Sequence, residues 1–99
     1  MEEIIIEVNI PDNVTIVAGP VPGREAYRLC KGSIDIEERN ILKFPPHVKQ
    51  IIGSFFTGFF EELSKSMTTG EIAEHFGFDY NMPSYESAKD SFSRYISNN

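Results

Sequence analysis

Two β-branched runs open the chain, IIIEVN at residues 4–9 and VTIVA at 14–18, with Pro11-Asp12-Asn13 between them. Proline presets a turn dihedral and Asx residues tolerate tight positions, so the pair predicts an N-terminal β-hairpin. Gly19-Pro20-Val21-Pro22-Gly23 breaks the second run. A short helix over about residues 24–31 is expected next, with Ala26, Tyr27 and Cys30 on its inner face and Gly32 at its end. Ile34 and Ile36 alternate with polar residues as in an edge strand. Ile41, Leu42 and Phe44 predict a central strand over 40–44, stopped by Pro45-Pro46, and Val48, Ile51 and Ile52 an extended segment over 48–52.

The second half of the chain has helical periodicity. In residues 54–66, Phe55, Phe56, Phe59, Phe60 and Leu63 recur on one face, with Ser54 placed as the N-cap. Gly58 weakens the middle of that helix by about 1 kcal/mol, which points to a backbone packed closely against it. Thr68 and Glu71 fit a capping box, with Met67 and Ile72 as its hydrophobic staple. Ile72, Ala73 and Phe76 form the buried face of that helix, and Gly77 is its expected end. A last helix over about 84–96 lines up Tyr85, Ala88, Phe92, Tyr95 and Ile96 at spacings of three and four. These elements predict an α/β fold: a small mixed sheet led by the hairpin, covered by two to four helices, in one domain spanning residues 1–99.

Composition narrows the function. Fifteen acids against nine bases leave a net charge of −6, which argues against phosphate backbones and anionic lipid as partners. The first residues, MEEIIIEV, carry acids where a secretory leader has lysines, and no run approaches the ~20 apolar residues of a membrane span. A soluble, cytoplasmic protein is expected. Cys30 is the one cysteine, read as a small buried hydrophobe. Neither His47 nor His75 sits in a metal or paired-carboxylate motif. The 19–23 loop lacks two of the amides a phosphate cradle needs, because Pro20 and Pro22 have none. Glu37-Glu38-Arg39 and Glu61-Glu62 read as solvated faces. No enzyme activity, cofactor or metal is expected.

The order of motifs resembles the STAS domain, the fold of anti-sigma-factor antagonists. The hairpin is EIIIEVNIPDNVTIVAG, the strand and turn are ILKF followed by VKQIIGSF, and the ending GFDYNMPSYESAKDSF at 77–92 is the closest local match. Short bacterial and phage STAS-like chains are a comparable fit through Gly19-Pro20, Gly23-Arg24 and Ser54-Phe55. The sequence departs from the pattern at Ile52, Gly53, Phe55 and Lys43, and leaves little room for a strand after the Phe-rich helix. The resemblance implies regulatory protein–protein interaction, with an ATP-binding anti-sigma or switch-kinase-like regulator as partner. It places the contact turn and a phosphorylatable serine at Gly53, Ser54, Phe55 and Thr57.

MTTGEIAEHFGF also resembles the first half of a helix-turn-helix, with SYESAKDSFSRYI as its second helix. Residues 67–99 carry Glu71, Glu74, Asp79, Glu86 and Asp90 against Lys89 and Arg94, a balance that disfavours DNA. A DNA-binding regulator is the alternative reading, and a small acidic phage-type inhibitor of a host protein a third.

Overall fold

The computed structural model describes residues 1–98. β1 (Glu3–Glu7), β3 (Arg39–Lys43) and β5 (Phe76–Phe78) form a three-stranded parallel sheet in the order β1-β3-β5. β2 (Ile16–Val17) and β4 (Gln50–Ile51) form a separate parallel pair. Four helices complete the fold: α1 (Pro20–Cys30), α2 (Gly53–Phe59), α3 (Thr69–His75) and α4 (Tyr85–Ser97).

The expected hairpin does not form, and the sheet is not mixed. β1 pairs with β3 and β2 with β4, every pairing parallel. The physical reason lies in the apolar runs. Ile6, Val8, Ile10 and Val17 are all buried, and burial demands partners covered from above, which the central strand provides and a two-stranded ribbon does not. Pro11-Asp12-Asn13 still makes a local turn, closed by Val14 N–H donating to Pro11 O at 3.0 Å.

α1 starts earlier than expected, at Pro20. Prolines fit a first helical turn because amides there have no partner inside the helix. Gly19, at φ 94°, supplies the bend that a side chain would strain. Ile34 and Ile36 lie in a turn rather than a strand. Asn40 organises that turn. It is fully buried, its amide donates to the carbonyls of Asp35, Glu38 and His75, and its Oδ1 accepts from Asp35 N–H.

The Phe-rich helix is shorter than its periodicity. α2 ends at Phe59, and a 3₁₀ turn at Leu63–Lys65 follows. Phe55, Phe56, Phe59 and Phe60 are all fully buried, so α2 is enclosed on several sides rather than along one stripe. The close approach expected at Gly58 is present. A Cβ there would collide with the carbonyl oxygen of Pro20 and lie 2.6 Å from its carbonyl carbon. Gly23 does the same from α1: its Cβ would collide with Phe55 O and lie 2.7 Å from Phe59 N. Two glycines, one per helix, therefore let α1 and α2 touch backbone to backbone.

The capping box of α3 is formed, Glu71 N–H donating to Thr68 Oγ1 at 3.1 Å and Thr68 N–H to Glu71 Oε1 at 2.8 Å. The backbone N–H of Thr68 holds the Glu71 carboxyl below the usual carboxylate range. Gly77 does not end this helix. It sits in β5, which takes the strand position that had seemed to lack room, but after α3. α4 closes the core, with Phe92 against Phe56, Phe60 and Phe78.

Candidate functional site

β4 runs directly into α2, and the residues expected to make contact lie at this turn. Ile52, extended at φ −90° and ψ 145°, holds the N-cap position expected for Ser54. Ser54 instead reaches sideways: its Oγ accepts the backbone N–H of Gly19 at 2.8 Å. The serine therefore ties the start of α1 to the start of α2. Ser54 and Thr57 are exposed and Gly53 half-buried. Phe55 is fully buried, stacked on Phe59 and edge-on to Phe44 and Phe56, so its side chain belongs to the core rather than to a contact surface.

The turn rests on a short strand that would be poorly held by its one neighbour. α4 makes up for this with two serines one turn apart. Ser87 Oγ accepts from Ile51 N–H at 2.9 Å, and Ser91 Oγ donates to Ile51 O at 2.6 Å. Side chains thus satisfy the outer edge of β4, where a further strand would otherwise be needed.

Two isoleucines stand uncovered near the turn, among exposed polar residues. The register pairs Ile16 with Gln50 and Val17 with Ile51. Val17 and Ile51 point inward and are buried, while Ile16 and Ile52 point outward, 53% and 42% exposed. Beside β2 lies a groove of about 470 Å³, lined chiefly by Ile10, Val14, Ile16, Pro22, Ala26 and Leu29. The ladder to β4 uses the carbonyls of Thr15 and Val17, accepting from Gln50 at 3.2 Å and Ile52 at 2.8 Å. The intervening N–H and C=O of Ile16 face the other way, toward the groove.

The remaining polar candidates are occupied in structural roles. Cys30 is buried, and burial pushes its thiol up to about 11, far from a reactive thiolate. His47 Nε2 pairs with Pro11 O and His75 Nδ1 with Glu38 O, each at 2.9 Å. Glu61 pairs with Arg24 at 3.3 Å, and the Glu38 carboxylate accepts Glu2 N–H at 3.1 Å. Among the described residues no group of three His, Cys, Asp or Glu could hold a metal ion, and no helix is long and apolar enough to cross a membrane. β5 and the loop after it separate α3 from α4, so those helices are not joined by the short turn of a DNA-reading pair.

Sequence reasoning placed the turn but missed Ile16, Ile52 and Leu29 as surface residues. The available signal was VTIVA itself. Its apolar residues fall on both sides of a strand too short to be buried on both. Compared with known family models, curated proteins and solved structures, the chain matches none.

Proposed function

We propose that the protein is a regulatory protein-interaction module whose contact surface is the β4–α2 turn and the apolar groove beside β2. The observation that carries this reading is contiguity. Ile16 on β2 is uncovered, as is Ile52 just past the end of β4 and two residues beyond Ile16's register partner Gln50; the groove adjoins Ile16, and the exposed Ser54 borders Ile52. A contiguous uncovered apolar area rimmed by polar groups is the usual form of a protein contact site. The unpaired backbone of Ile16 suits an extended partner segment laid along β2, with main-chain hydrogen bonds for affinity and the groove for side chains.

The position of Ser54 supports the STAS-like reading of the same surface, in which the partner is an ATP-binding anti-sigma-type regulator. In that reading a negative charge at residue 54 switches the contact. The test is a photo-crosslinking residue placed at 16, at 52, or at 36, the last being an exposed isoleucine outside this surface. One protein adduct shared by positions 16 and 52, absent at 36 and suppressed by Ile52→Arg, supports the site. Equal labelling at all three positions, or none at 16 and 52, sinks it.

A further inference from the structure

All-parallel sheets are ordinarily covered on both faces, since each face carries an apolar row. In this protein the face bearing Ile4, Ile6, Leu42, Phe76 and Phe78 packs into the core. On the opposite face, the register sets the outward side chains in three rows. Glu3 lies beside Arg39, Ile5 beside Ile41 and Gly77, and Glu7 beside Lys43. Arg39 and Ile41 both lean over Gly77, where an added Cβ would lie 2.6 Å from Nη2 and 3.3 Å from Cδ1. Ile5 is 56% exposed and Glu3, Glu7 and Lys43 are exposed, while Ile41 is 9% exposed and the half-buried Arg39 donates to Glu74 O at 2.7 Å; a groove of about 540 Å³ that runs along β5 and α4 reaches this face at Glu3, Ile5, Arg39 and Ile41.

We propose that this face is a homodimer interface, in which a second copy lays its own β1–β3 face on the first about a twofold axis parallel to the strands and midway between them. The charge pattern selects both the occupant and the axis. The outward charges of β1 are both acidic, Glu3 and Glu7, and those of β3 both basic, Arg39 and Lys43. Rotation about an axis along the strands sets β1 of each copy over β3 of the other at unchanged height. Glu3 then meets Arg39, Ile5 meets Ile41 and Glu7 meets Lys43, each contact occurring twice. Aligned sheets pack ~10 Å apart, within reach of these long side chains from both sides.

The alternatives meet like charges. A twofold axis across the strands sets Glu3 against Glu7 and Arg39 against Lys43. Antiparallel edge pairing of two β1 strands centred on Ile5 also sets Glu3 opposite Glu7, which is destabilising. The face consists of two five-residue strands with six outward side chains, so a weak, concentration-dependent dimer is expected. This assembly is independent of the β2 groove, and it would present two copies of that groove on one particle.

The test is sedimentation equilibrium on the full chain from micromolar to millimolar, with charge reversals at one cross-strand position. Glu7→Lys makes the chain two units less negative and Lys43→Glu two units more negative. If overall charge alone governed association, the first would tighten the dimer and the second loosen it. The expected result is that each single reversal weakens the dimer about tenfold, because each places two like pairs in the interface. The double variant Glu7→Lys/Lys43→Glu, with charge unchanged, is expected to restore association to near wild type. Ile5→Asp abolishes it and Ile36→Asp leaves it intact, with thermal melts verifying that every variant is folded. A chain that stays monomeric to ~1 mM overturns the proposal, as does a dimer indifferent to the single reversals or tightened by Glu7→Lys.

Discussion

The two ends of β4 belong to very different parts of the molecule. On one side α2, β5 and α4 enclose an aromatic cluster in which Phe60 alone lies within 6 Å, ring centre to ring centre, of Phe56, Phe59, Phe76, Phe92 and Tyr95. On the other, β2 and β4 are two residues each, and each buries a single side chain, Val17 and Ile51. The aromatic side buries Phe55, Phe56 and Phe59 of α2 among other rings, so those side chains need no further cover. The strand pair hides one face and leaves Ile16, and Ile52 just past β4, exposed to water. A small domain can carry that uncovered apolar area only because its stability comes from elsewhere, which leaves the strand pair available for the proposed contact.

If that division is right, damage to the aromatic side is felt as lost stability. Phe60→Ala removes a fully buried ring and is expected to destabilise the fold by about 3–5 kcal/mol in urea titration. A midpoint within a few tenths molar of wild type would mean the cluster is not the main source of stability. Gly58→Ala tests the seam between α1 and α2. The new methyl has no space beside Pro20, and a loss of about 2–3 kcal/mol follows from the backbone shift it forces. A neutral or stabilised Gly58→Ala, the usual outcome at an open helix site, would show that the two backbones do not touch.

Effects fall off toward the strand pair. Ser54→Ala removes the acceptor for Gly19 N–H at an exposed position and is expected to lower stability by about 1 kcal/mol, read as a small drop in thermal midpoint. Ser54→Asp keeps an acceptor there, so its midpoint is expected to lie above that of the alanine variant; the reverse order would remove the hydrogen bond from the account. The double change Ile16→Thr/Ile52→Thr keeps the β-branched shape and is expected to shift stability by no more than about 0.5 kcal/mol. Partner crosslinking at the turn is expected to fall sharply in the same variant. Stability lost there in place of crosslinking would merge the two regions into one core and end the comparison.

Local rules carried far in this sequence. The capping box at Thr68 and Glu71 and the last helix rest on contacts within a few residues, the central strand and the extended segment before Ser54 were marked by their own apolar runs, and all are present in the structure. The close approach at Gly58 was also legible, because a glycine inside an apolar helix needs a reason. Partnership between distant segments was not legible. The run after Pro11-Asp12-Asn13 satisfies a hairpin pattern as well as a parallel pairing. Only the burial of Ile6, Val8 and Val17 beneath the helices decides for β1 on β3 and β2 on β4. The N-cap role passed from Ser54 to Ile52 because Gly19 N–H, 35 residues away in sequence, took the serine's oxygen. Phe55 left the expected contact surface because α2 is enclosed on more sides than one helical stripe can report. Sequence alone determined the turn at Pro11-Asp12-Asn13, the cap of α3 and the extent of the last helix, since those choices are made by neighbours along the chain. Tertiary structure decided which strands pair and which isoleucines stay in water, because both depend on what the rest of the chain packs above them.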